Sequence, residues 1–97
     1  MQLYVIQRRN GFRDAADLQA AAARSTAEGD KPGSGVRWIR SYVVTEENGD
    51  LGTVCIYEAT SEETIRAHAA AADLPVDEVV KVADTVIVRP DPVPATA

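Results

Sequence analysis

An α+β chain with the element order βαββαβ is predicted by three observations. Four segments alternate in the period-two manner of strands. Two Ala-rich segments free of Gly and Pro follow the first and third of them. An Asn-Gly pair, Asn48-Gly49, joins the middle two as a hairpin. At 97 residues there is material for one domain, residues 1–88, followed by a Pro-rich, disordered tail over 89–97 that holds Pro90, Pro92 and Pro94.

The first strand is read over Gln2–Arg8, with Tyr4, Ile6 and Arg8 on one side and Leu3, Val5 and Gln7 on the other, and Asn10-Gly11 as the turn after it. The first helix spans Asp14–Glu28, capped by Asp14, with Ala15, Leu18, Ala21 and Ala22 on its apolar face. Leu18 is its one large apolar residue, so this helix must lie close to whatever it packs on. A Gly- and Pro-rich loop over 28–35 leads to the second strand, Val36–Thr45, and the third, Leu51–Ala59. Thr60 through Glu63 reads as a capping box, with Thr60 as cap, for a second helix over Ser61–Ala72 that Leu74-Pro75 ends. The fourth strand is Asp77–Val88. The two β-α-β halves predict a ferredoxin-like domain: a four-stranded antiparallel sheet with both helices on one face.

The middle hairpin carries the candidate site. A two-residue turn sets Tyr42 opposite Cys55 and Arg40 opposite Tyr57. One face then holds Trp38, Arg40, Tyr42, Cys55 and Tyr57, and the other Ile39, Ser41, Val43, Val54 and Ile56. The small aliphatic face suits the Ala-rich helices. The aromatic face is too apolar for water, and a second copy of the chain is the expected cover, making a homodimer. A three-residue loop would shift this pairing by one.

Trp38, Arg40, Tyr42 and Tyr57 are the candidate ligand-binding residues. Arg40 suits either a carboxylate or phosphate anchor or an ion pair across a dimer interface. His68, the only histidine, lies beside the buried stripe of the second helix. It suits a metal ligand, a haem ligand or a general base, and equally a boundary residue hydrogen-bonded to backbone or to Glu62 or Glu63. Cys55 suits a buried small hydrophobe or a soft metal ligand. Because the helices belong on the opposite face, His68 and Cys55 need not meet within one subunit. No phosphate loop, CxxC or HxxxH motif is present.

Composition removes several classes. A net charge of -5 disfavours nucleic acid and anionic membranes as partners. One cysteine excludes an internal disulfide, and no apolar run approaches the ~20 residues of a membrane span. A reducing cytoplasm is the expected location.

Four segments in order resemble a known family of small ferredoxin-like domains of unknown function that includes actinobacterial nickel-binding proteins. They are Trp38-Ile39-Arg40-Ser41-Tyr42-Val43, Cys55-Ile56-Tyr57-Glu58-Ala59, Glu63 through Ala69, and Leu74 through Val80, joined by the opening Leu3-Tyr4-Val5-Ile6. The resemblance implies a dimeric α/β barrel and binding of Ni(2+). Many members of that family carry His where this chain has Arg40, and a guanidinium cannot replace an imidazole as a ligand. Cys55, His68 and carboxylates such as Glu58 remain as donors. Three functions follow as expectations: a small protein that binds a metal ion or other small ligand, a dimeric-barrel enzyme of monooxygenase or isomerase type, and a structural or regulatory dimer.

Overall fold

A computed structural model describes residues 1–93; of the tail, residues 94–97 lie outside the described residues. The elements are β1 (Gln2–Phe12), α1 (Ala15–Gly29), β2 (Val36–Thr45), β3 (Leu51–Ala59), α2 (Glu62–Ala71) and β4 (Glu78–Lys81). The expected βαββαβ order is present. The strands form one antiparallel sheet in the order β2-β3-β1-β4. The core lies between the sheet and the helices and is built from Tyr4, Ile6, Val36, Cys55, Tyr57, Ala59 and Ile65.

Both helices start where short polar side chains replace missing backbone acceptors. Asp14 accepts from the Asp17 amide at 2.9 Å. The α2 cap is Ser61, which accepts from the Thr64 amide at 3.1 Å, and not Thr60 as expected. The Thr60 amide donates to Gly35 O at 3.0 Å, so Thr60 still belongs to the strand layer and the helix begins one residue later. Gly35 has φ +74, and a Cβ there would lie 2.8 Å from Thr64 Cγ2, which is why a glycine serves at this contact. At the other end of α2, Asp73 is left-handed (φ 54) and Arg24 of α1 donates through Nε to Ala72 O at 2.8 Å, tying the two helices together.

Three strand boundaries differ from expectation. β1 does not stop at Arg8: it continues to Phe12 through an irregularity at Asn10 (φ 50), so Asn10-Gly11 bends the strand without ending it. β4 stops at Lys81. Its partner is β1, and after the Val82 amide donates to Leu3 O the register reaches the start of that strand. Val86, Ile87 and Val88, expected in the strand, are exposed.

The third difference decides which residues face the helices. Glu46 N donates to Asp50 O at 2.8 Å and Gly49 is left-handed (φ 90), so the hairpin has a three-residue loop over 47–49. Tyr42 therefore pairs with Val54 and Ser41 with Cys55. A second register shift, between Trp38 and Arg40, brings Trp38, and not Arg40 as expected, opposite Tyr57. The expected aromatic face is split by this bulge. Trp38, Cys55 and Tyr57 lie on the helix side, whereas Arg40 and Tyr42 pair with Ile56 and Val54 on the bare side. That bare side is aliphatic at its centre, with Val5 between Ile56 and Val80.

Candidate functional site

The polar centre of the molecule lies under the helices. Tyr57, on the middle of β3, is 2 % exposed and stacks on Trp38 with ring centroids 6.0 Å apart and planes 7° apart. Its other neighbour is the His68 ring on α2, at 5.7 Å and tilted by 57°. Ser25 of α1 joins them. Its Oγ lies 2.7 Å from Tyr57 Oη and 3.1 Å from His68 Nε2. One proton arrangement satisfies all three atoms: the phenol donates to Ser25, and Ser25 donates to an unprotonated Nε2. Burial pushes the Tyr57 phenol up from its ordinary pKa, and the hydrogen bond it shares with Ser25 partly opposes this. Burial also lowers the His68 pKa, the nearby Arg8 charge lowers it further, and Glu28 partly opposes both. The network holds a neutral tyrosine and a neutral histidine at neutral pH and could pass a proton between them through Ser25.

Beside this network a cavity of about 470 Å³ opens between α1 and the β2–β3 hairpin. Leu18, Ala21, Ala22 and Ser25 form its α1 wall; Ile39, Ser41 and Val43 face them from β2, and Thr53, Cys55 and Tyr57 from β3. Phe12 and Arg8 of β1 close one end, and Trp38 and Arg40 stand at the exposed rim. α1 meets the sheet at Ser25, whose Oγ reaches Tyr57 Oη, and Ala21 is buried beside the cavity. Phe12, Trp38 and Tyr57 are bulky and sit on the sheet, and the alanines opposite cannot fill the space between such rings.

Arg8 is the unexpected member. It is 2 % exposed, and its Nη1 donates to Pro75 O at 2.6 Å. Its Nη2 is buried without a partner, and among the described residues no carboxylate pairs with it. Strand alternation already places an arginine with Tyr4 and Ile6, and that was the signal for it. Ser25 was signalled as a polar residue one heptad beyond Leu18 on the buried stripe of α1.

The residues expected to bind a ligand are divided by the fold. Trp38 and Tyr57 meet at the cavity. Arg40 borders it, but its Nη1 reaches Asp91 Oδ2 at 3.0 Å, and Tyr42 donates to the same oxygen at 2.6 Å on the bare side. That bond and the Arg40 charge hold the Asp91 carboxyl below its usual pKa, and contacts first with Tyr42 and then with Asp91 raise that of Arg40. The two residues expected as metal donors do not share a cavity. Cys55 Sγ donates to Thr53 Oγ1 at 3.3 Å inside the cavity beside α1, whereas His68 lines two others, towards Gly29 and Val36 and towards Glu63 and Ala67. Among the described residues no group of three or more His, Cys, Asp or Glu comes together that could hold a metal ion. Glu58 is committed to Arg37 at 3.0 Å. The donor set of one chain therefore does not fit a nickel site.

With this geometry in place, comparison with known proteins gives two findings. A family model described as nickel responsive protein SCO4226-like matches residues 4–82. The chain belongs to that family. The crystal structure of SCO4226 from Streptomyces coelicolor A3(2) has the same fold, with a TM-score of 0.69 at 19 % identity, over 87 % of this chain and 99 % of that one. No curated protein sequence matches the chain. No helix among the described residues is long and apolar enough to cross a membrane.

Proposed function

We propose that this member of the SCO4226-like family is a non-catalytic binding protein, working in a reducing cytoplasm, whose small ligand enters the cavity between α1 and the β2–β3 hairpin. The observation that carries this reading is the cavity itself. A 97-residue chain has little apolar area with which to stabilise itself, yet it leaves about 470 Å³ open beside its best-buried ring. That volume falls within the roughly 300–1,000 Å³ of small-molecule pockets, and its apolar walls carry few polar groups. Ser25 and His68 resemble a nucleophile and its base. However, Ser25 sits inside α1, where backbone N–H groups are spent on the helix and cannot receive an oxyanion.

Trp38 is the only tryptophan and stands at the rim, so its emission reports occupancy. Titration with 1-octanol, an uncharged apolar probe, should shift Trp38 emission saturably. Ala22→Leu, which fills the α1 wall, should weaken the response without lowering Tm. An unsaturable response, or one equal in the two proteins, would count against the cavity as the site.

Nickel is the second reading, supported by the family's description and by His68 as the one imidazole. Its donor set would have to be completed by a second copy of the chain. Such a homodimer would use the bare sheet face, where Tyr42, Val44 and Val80 are exposed around Val5, Val54 and Ile56. Sedimentation of the wild type with and without Ni(2+), and of Tyr42→Asp, tests both parts. A monomer that takes up no nickel would remove them.

A further inference from the structure

We infer that the cavity ligand is an apolar monocarboxylate whose charged end is received by Arg8 and Thr53; this rests on the cavity being the binding site. Arg8 and Thr53 are direct register partners on β1 and β3, so their side chains stand together on the helix side of the sheet, and both line the cavity. Arg8 is 2 % exposed and Thr53 5 %. Tyr57 lies near this buried guanidinium, but the Arg8 Nη2 makes no well-formed hydrogen bond, and with one carbonyl acceptor and no carboxylate among the described residues the charge is under-compensated. Desolvation of a charge is offset only by an opposite charge or a full set of acceptors. Thr53 Oγ1 accepts from Cys55 Sγ, and its hydroxyl proton remains available. A carboxylate at this end of the cavity would take one bond from Arg8 Nη2 and one from the Thr53 hydroxyl, satisfying both.

The donor count favours a single negative charge. Arg8 Nη1 is already engaged by Pro75 O; the rest of the lining is mainly apolar, with Gln19, Ser25, Ser41 and Tyr57 as uncharged polar groups and Arg40 at the exposed rim. A phosphate would bring a second negative charge, and Arg8 is the one buried cation among the described residues. The rest of the ligand is mainly apolar, to match Phe12, Leu18, Ile39 and Val43, which dominate the lining beyond the Arg8 end.

The test compares octanoate with 1-octanol, read by Trp38 emission and by calorimetry, in the wild type and in Arg8→Met. Arg8→Met keeps an apolar stem of similar length and removes the buried charge. The wild type should bind octanoate roughly tenfold to hundredfold more tightly than octanol, the range of a charge-assisted hydrogen bond. Arg8→Met should lose that preference while still binding octanol. Octanoate should also raise the Tm of the wild type more than octanol does at equal concentration, a readout that stands even if Arg8→Met fails to fold. Equal affinity for the two probes in the wild type would overturn the role of Arg8 and leave the cavity reading standing. Saturable binding of neither probe would overturn both.

Discussion

The two helices cover the same sheet with opposite results. Under the middle of α2 the apolar side chains are fully buried, although His68 borders smaller openings towards the 28–35 loop. Ile65 is 1 % exposed and Ala69 2 %, and they pack where Ile6 and Ala59, both 0 % exposed, come up from the sheet. Under α1 the sheet offers larger rings, Phe12, Trp38 and Tyr57, against Leu18 and a row of alanines, and a cavity remains. The difference lies in the fit of side-chain sizes across each interface. Small facing small, with Ile65 between, closes. Large rings facing Ala leave gaps the alanines cannot reach. One side of the core supplies stability, and the other gives part of it up for an opening.

The sharpest way to break this comparison is to remove one apolar side chain from each side. Ile65→Ala takes a fully buried chain out of the filled side and should destabilise the protein by about 2–5 kcal/mol, enough to unfold much of so small a domain. Leu18→Ala acts on a half-buried residue that already borders empty space, so no new cavity is created and the cost should stay near ~1 kcal/mol. Urea unfolding of both variants checks this. Similar losses would mean that α1 is packed as tightly as α2.

Much of this layout was legible in the sequence, for local reasons. Period-two alternation, Asp14 and the Ala-rich segments each act within a few residues, and they yield the element order and both helices. The division of the faces was not legible. It depends on a three-residue loop over 47–49 and on the shift between Trp38 and Arg40, and each moves a strand by one residue. A one-residue slip inverts every side chain after it, so Trp38 and Arg40, two apart in sequence, end on opposite faces. The cavity was illegible for another reason: helix composition shows that α1 is thin, but the gap beside it is set by rings on strands far away in sequence. Arg8 and Ser25 were visible as polar residues on apolar stripes, and only the fold shows that they converge near Tyr57.

His68 lies on the seam between the two sides, hydrogen-bonded through Ser25 to the α1 layer. Its pKa is lowered in the fold, chiefly by burial and then by Arg8, with Glu28 opposing. The unfolded chain therefore binds this proton more readily than the folded one. Stability should be full above the unfolded value of about 6.5 and should decline as pH falls from there towards the depressed folded value. No other histidine titrates in this window. Urea midpoints from pH 7.5 to 5.5 should fall for the wild type and stay flatter for His68→Gln. Parallel profiles would show that the seam does not sense the charge of His68, and that the two helical layers are less coupled than the Ser25 bond implies.

The smallest effect is expected from the tail, which tests whether anything outside the helices governs the open side. After β4 the chain must travel from one edge of the sheet to the other, because Asp91 meets Arg40 and Tyr42 on β2. The Arg40–Asp91 pair is about half exposed at both ends, and exposed pairs contribute little because water and salt screen them. Val86, Ile87 and Val88 are exposed as well and add no buried area. Deleting residues 91–97 should therefore leave Tm nearly unchanged. Arg40 also borders the cavity, so the deletion frees a guanidinium at its rim without altering the walls. Octanol affinity should be unchanged, since that probe carries no charge for Arg40 to meet. A Tm drop of several degrees would place the tail among the stabilising layers, and a changed octanol affinity would make it part of the open side.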